Sequence, residues 1–264
     1  GWIMQVSNAF GQVQGAMSYF VDAYTTIAQW CSVVRRLDGF NRHVGEALDL
    51  KSDLMIDNAS NITVGIENVD VFLPNKNKDI LIKDCTIDLM KYQSLLIMGA
   101  SGVGKSTLLR TLAGLWPYAK GNVYLPKEEE FLFLPQRPYL PLGSLRQAIS
   151  YPVVEEVISE KYSDEEIKEI LIACKLENLA DKLDIVDDWS RILSLGEQQR
   201  IAFVRILLYR PEFVFLDEAT SALDEDLEGN LYDMLKIHLP NTKIISIAHR
   251  SSLIAKHQAI LRLK

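Results

Sequence analysis

At 264 residues, with 48% hydrophobic and 24% charged side chains, the chain has the length for one sizeable core plus an appendage, and its composition excludes a disordered chain. A formal net charge of −7 disfavours a nucleic-acid platform, which presents a basic face. Three widely spaced cysteines, Cys31, Cys85 and Cys174, form no C-x-x-C or Cys/His cluster, so they read as buried thiols rather than a metal site or a disulfide frame.

The first element is a long helix. Its apolar positions, Ile3, Val6, Phe10, Val13, Met17, Phe20, Tyr24, Ile27, Cys31 and Val34, alternate steps of three and four, which predicts one continuous apolar seam from Trp2 to Leu37, about 55 Å long at roughly 1.5 Å per residue. Gly1 to Val21 carries no charge, yet Gln5, Ser7, Asn8, Gln12, Gln14 and Ser18 interrupt it, and no run of about 18 apolar residues predicts a membrane span by hydropathy alone. Two readings stand at this point. One is an amphipathic helix packed on its own domain. The other is the end of a permease helix whose polar face meets other helices, with Arg35 and Arg36 on the cytoplasmic side. The segment lacks the basic start and cleavage site of a signal peptide, and a chain that opens on Gly in mid-pattern is expected to be a fragment. Residues 38–60, rich in Asp, Asn and Ser, read as a linker.

Strands are predicted over Ile62–Phe72 and Ile80–Leu89, with a turn at Asn75–Asn77. Ser94–Met98 is a short apolar run suited to a buried parallel strand, and GASGVGKST follows it. In that loop Gly99, Ala100, Ser101, Gly102, Val103, Gly104, Lys105, Ser106 and Thr107 form a complete phosphate-binding P-loop. The glycines let successive N–H groups face inward, Lys105 reaches the β- and γ-phosphates, and the Ser106 hydroxyl ligates magnesium. A helix over Ser106–Leu115 aims its positive end at the same phosphates.

A third apolar strand, Phe131–Leu134, hands over to Gln136, placed to sense magnesium or the γ-phosphate. From Pro138 to about Ile192 the pattern is helical and acidic, with a capping box at Ser163 and Glu166. Arg137, Tyr139 and Trp189 are contact candidates for a partner there. Ser194 and Gly196 open a further helix whose N-terminus would meet a phosphate. Phe213–Leu216 is a fourth buried strand, ending in Asp217 and Glu218. Two carboxylates there suit Asp217 on the metal and Glu218 as base or water-positioning group. His249 follows the strand Lys243–Ala248 and is a candidate γ-phosphate contact and switch.

P-loop, glutamine, LSLGE, LDEATSALD and histidine, in that order, resemble the ATP-binding cassette (ABC) ATPases over about residues 61–264. The resemblance implies an α/β fold of the P-loop NTPase class: a RecA-like parallel core, an antiparallel β subdomain and a helical subdomain at about 138–195. It also implies a head-to-tail homodimer binding ATP and Mg²⁺. Ser194, Leu195, Gly196 and Glu197 of one copy, with Asp224 at the same seam, would close on the nucleotide held by Lys105 of the other. Glu218, His249 and Gln136 would carry hydrolysis, and Ser106, Gln136 and Asp217 the metal. The signature departs from the usual LSGGQ at Leu195 and Glu197. LSLGEQQR, FLPQRPY and LAGLWP look like the SbmA/BacA-like and subfamily D half-transporters, as does FGQVQGAMSYFVDAYTTIAQW.

That likeness favours the permease reading of residues 1–37. It implies an ATPase on the cytoplasmic face of the inner membrane, joined to an upstream permease domain and not to nucleic acid. The rival is a soluble ABC ATPase of DNA repair or translation, and the short interval between P-loop and signature argues against the repair type. The position where many of these ATPases stack adenine falls on Leu73, beside Phe72. Phe72 and Tyr92 are the aromatic alternatives.

Overall fold

The computed structural model describes residues 1–48, 53–57, 64–75, 79–125 and 131–263. It divides into two units, residues 1–51 and 52–264. In the first, helix α1 runs Trp2–Leu48 as one uninterrupted element. It therefore continues past Leu37, which corrects the linker expected from residue 38. Residues 38–48 contain no proline, and His43 bonds through Nδ1 to the carbonyl of Gly39 one turn back. Ile3, Phe10, Val13, Met17, Tyr24 and Ile27 are exposed. No described helix is long and apolar enough to cross a membrane.

In the second unit, a four-stranded sheet has the order β1–β5–β2–β3, made of β1 (Asp53–Asp57), β2 (Gly65–Phe72), β3 (Ile80–Asp88) and β5 (Ala119–Tyr124). Strand β1, parallel to β5, lies inside the expected linker, a second correction. Its DLMID pattern is too short and too acidic to stand out in sequence. Between these strands come β4 (Ser94–Met98) and α2 (Lys105–Leu112). The predicted strand start at Ile62 and the turn residues Lys76 and Asn77 lie outside the described residues.

The central sheet is fully parallel, in the order β11–β4–β10–β9–β6. Its remaining strands are β6 (Phe131–Leu134), β9 (Phe213–Asp217), β10 (Lys243–Ile247) and β11 (Ala259–Arg262). The two-residue side-chain period divides each strand between two cores. Leu95, Ile97, Phe213, Phe215, Ile245 and Ile247 face α2 and the β subdomain. Leu96, Leu132, Leu134, Val214, Leu216 and Ile244 face the helical side. Both faces are covered, which is why these strands read as unbroken apolar runs.

The helical subdomain follows β7 (Gly143–Ser144). It contains α3 (Leu145–Ser150), α4 (Glu155–Lys161), α5 (Asp164–Ala173), β8 (Val186–Asp187) and α6 (Trp189–Ile192). Ser163 and Glu166 form the expected capping box of α5. Then come α7 (Leu195–Tyr209), buried along most of its length, and α8 (Glu225–His238). Two surface expectations are corrected here. Trp189 is 3% exposed and packs in the core, so it is no contact residue, whereas Tyr139 is exposed. Of the cysteines only Cys174 is buried, where loss of water pushes its thiol up to about 12; Cys31 and Cys85 are half-buried.

Candidate nucleotide site

Four predicted segments emerge from the C-terminal ends of four adjacent parallel strands. The P-loop follows β4, His249 follows β10, Glu218 follows β9 and Gln136 follows β6. That edge is where ligands bind in open α/β sheets, because loops diverge there and the following helix N-termini point inward. Helix α2 starts at Lys105 and stops at Leu112 rather than Leu115, because Gly114 at φ 70° turns the chain and Leu115 N–H closes on Arg110 O. In the loop, Gly104 has φ 98°, and a Cβ there would stand 2.6 Å from Leu81.

Lys105 is 5% exposed and folds back into its own loop, donating to Gly99 O at 3.1 Å and Ala100 O at 2.9 Å. Those carbonyls hold an ammonium that would otherwise be buried without a partner. Ser106 Oγ donates to Asp217 Oδ1 at 2.6 Å, and Arg110 lies 3.5 Å from Asp217 Oδ2. A hydroxyl and a carboxylate meeting this closely form the start of an oxygen donor set, the kind magnesium takes beside phosphate oxygens, so the residues fit that ion.

Glu218 has a left-handed backbone at φ 50°. Its carboxylate is gripped from two sides: Gln136 Nε2 donates to Oε2 at 3.1 Å, and His249 Nε2 lies 2.8 Å from Oε1. Gln136 thus joins Glu218 rather than bonding to Ser106 or Asp217 among the described contacts.

The signature corner is built differently. Ser194 is the N-cap of α7, and Glu197 closes a reciprocal capping box: Ser194 Oγ and N donate to Glu197 Oε2 at 2.7 and 3.0 Å, and Glu197 N–H donates back to Ser194 Oγ at 3.3 Å. Burial pushes the Glu197 carboxyl up, but Ser194, Asn178 and Arg200 outweigh it and hold the group below its ordinary value. Leu195 is 40% exposed. Asp224 caps α8, accepting from Leu227 N at 2.7 Å. Neither Ser194 nor Asp224 bonds to the P-loop of its own chain among the described contacts.

Of the aromatic alternatives for adenine, Tyr92 is ruled out by topology. It precedes β4, its carbonyl accepts from Lys243 at the start of β10, and the P-loop lies at the other end of both strands. Phe72 ends β2 and is half-buried.

Two residues escaped sequence reasoning. Gln199, fully buried on α7, donates to Gln136 O at 2.9 Å and Ser221 Oγ at 3.1 Å and accepts from Ala222 N at 2.9 Å. It ties the signature helix to the loops on both sides of Glu218. Arg205, 3% exposed, donates to Ala148 O and Tyr139 O and lies 5.4 Å from the Tyr151 ring; burial pushes its guanidinium down to about 10. The available signal was a glutamine and an arginine inside the apolar run IAFVRILL and its approach.

Residues 82–221 match the family profile for ABC transporter. The chain belongs to the ABC transporter family. Within it, residues 1–45 match the SbmA/BacA-like family. An uncharacterized ABC transporter ATP-binding protein of Haemophilus influenzae is 50% identical over 184 residues, covering 70% of this chain and 30% of that protein. A similarly described protein of Synechocystis is 37% identical over 275 residues, covering 100% of this chain and 40% of the other. ABC transporter D family member 2, chloroplastic, of Arabidopsis thaliana is 34% identical over 330 residues, covering 100% and 46%. The chain thus spans less than half the length of these relatives. A bacterial Atm1-family ABC exporter solved with ATP bound shares the fold, with a TM-score of 0.61 at 24% identity over 76% of this chain and 37% of that one. This chain carries the family's ATP-binding ATPase domain.

Proposed function

We propose that two copies of this ABC ATPase close head to tail on two ATP molecules and that hydrolysis drives a permease domain of the same polypeptide. Lys105 and the P-loop N–H groups of one copy hold the phosphates. Ser194, Leu195, Gly196 and Glu197 of the other, with Asp224, complete the site. Ser106 and Asp217 would hold a magnesium ion, which would offset phosphate charge. Glu218 orients the attacking water and takes its proton, while Gln136 and His249 fix that carboxylate. Positioning and charge stabilisation then supply most of the rate.

The observation that carries this reading is the pairing of Glu218 with both Gln136 and His249 at the edge where Ser106 meets Asp217. Residues 1–45, which match the SbmA/BacA-like family and carry Arg35 and Arg36 beyond an uncharged segment, support a permease helix that continues to the cytoplasmic face of the inner membrane. Tyr139, Leu142, Val154, Val157 and Val186 of the helical subdomain are exposed, and these are the contacts proposed for the permease. Glu218→Gln should keep ATP affinity, lose turnover and accumulate as an ATP-bound dimer. Near-normal turnover in that variant would remove Glu218 from its role.

A further inference from the structure

Behind the Glu218–His249 contact lies a second carboxylate that the reaction scheme leaves unused. Glu228 stands in the first turns of α8 and is 2% exposed. A carboxylate buried this deeply must be matched by donors. Its donors come from two different loops: Thr220 Oγ1 donates to Oε1, and Arg250 Nη1 donates to Oε2 at 3.4 Å. Thr220 is two residues after Glu218, and Arg250 is the residue after His249. A cavity of about 230 Å³ lies among these groups, lined by Glu218, Thr220, Glu228, His249 and Arg250 among others.

The backbone gives this arrangement a purpose. Glu218 is held at φ 50°, a conformation costly for any residue with a Cβ and one that persists only where neighbours over-determine it. Glu218 N–H donates to Ile247 O at 3.2 Å, and Ser221 N–H donates to Glu218 O at 3.1 Å. These bonds fix the start of the loop, and Glu228 fixes its continuation through Thr220. The same carboxylate group holds the chain just past His249. Glu228 N–H also donates to Asp224 O at 3.0 Å, which puts this carboxylate one turn past the α8 cap.

We infer that Glu228 is a positioning residue for ATP hydrolysis, acting through Thr220 and Arg250 to set the spacing of Glu218 and His249. The inference rests on the reading of Glu218 as the hydrolytic carboxylate. Glu228 touches neither the P-loop nor the Ser106–Asp217 pair among the described contacts, so its loss should leave nucleotide binding intact. Misplacing a reacting group by about 1 Å can cost on the order of a hundredfold in rate.

The test is steady-state ATP turnover of the full-length protein as Glu228→Gln, Arg250→Met, Thr220→Val and Glu228→Gln/Arg250→Met, with thermal unfolding measured alongside. Each single variant should lower kcat about tenfold or more with KM for ATP within about twofold, the signature of a lost transition-state interaction. The double variant should be about as slow as its slower parent, because both changes break one linkage. Should Glu228→Gln fail to fold, Thr220→Val and Arg250→Met carry the same test. Folded variants with kcat within about twofold of the parent, or with kcat and KM moving together, would overturn the inference, as would losses that multiply in the double variant. Glu218→Gln serves as the control: turnover retained there removes the reading beneath this one, whereas turnover lost there and kept in Glu228→Gln removes this one alone.

Discussion

The Ser106 hydroxyl donates to Asp217 Oδ1 across 2.6 Å, joining the first residues of α2 to the end of β9 over 111 positions of sequence. Neither side chain reaches the other by local folding. The parallel register of β4, β10 and β9 brings them together. The contact brings two hard oxygen donors together at the P-loop edge of the sheet.

Replacing Asp217 with Asn keeps the shape but removes the charge that a magnesium ion would meet. Turnover should fall by about a hundredfold or more, consistent with the contribution of a single well-placed charge in a phosphoryl-transfer site. Nucleotide binding measured without magnesium should stay within a few-fold of the parent. A magnesium titration of ATPase activity on both proteins checks this, and an unchanged titration curve contradicts it.

Gln199 is predicted to matter for both stability and turnover. Gln199→Leu removes the bonds to Gln136 O and Ala222 N–H, each worth about 0.5–1.5 kcal/mol. Denaturant unfolding should show that loss. At temperatures where the variant is folded, turnover should also fall, since the Gln136 loop loses its tie to α7. A variant as stable as the parent would show that water replaces the amide.

His257 gives a pH dependence with a definite sign. Its Nδ1 bonds to Leu253 O at 2.9 Å, so Nδ1 carries the proton and Nε2 is left to accept from Ser246 Oγ at 3.0 Å. Burial pushes the imidazole below its ordinary value, with the nearby Lys236 charge acting the same way and the Leu253 bond opposing. A folded-state value below the unfolded one means the unfolded chain binds more protons. This group's contribution is therefore complete above the unfolded value of about 6.5 and declines as pH falls through that value toward the folded one. Thermal unfolding of the parent and of His257→Gln between pH 5 and about 8 should show a gap that narrows toward acid. A constant gap contradicts the assignment.

Much of this site is legible in the sequence because its parts are local. Ser94–Met98 with its P-loop, Phe213–Leu216 with two acids, and Lys243–Ala248 with His249 each pair a buried-strand pattern with a polar terminus, and the strands lie where those patterns put them. What was illegible depends on distant parts of the chain meeting. Gln199 and Arg205 look like interruptions in an apolar helix until the Gln136–Tyr139 carbonyls arrive over them. Trp189 looks like a surface anchor until the helical core closes on it. Helix α1 runs on through residues 38–48 because nothing there breaks it, although its composition resembles a linker.

The central claim is that each ATP is held by two copies, and mixing two defective proteins tests it most directly. Lys105→Ala removes the phosphate contact, and Ser194→Arg blocks the helix start that meets the other copy's nucleotide, so neither should hydrolyse ATP alone. Combined in one dimer, the intact P-loop of one and the intact signature of the other rebuild a single site. Turnover appearing only on mixing, with one nucleotide retained per dimer in a Glu218→Gln background, is the predicted result. Full turnover by Ser194→Arg alone, or a mixture that retains no nucleotide, would contradict it.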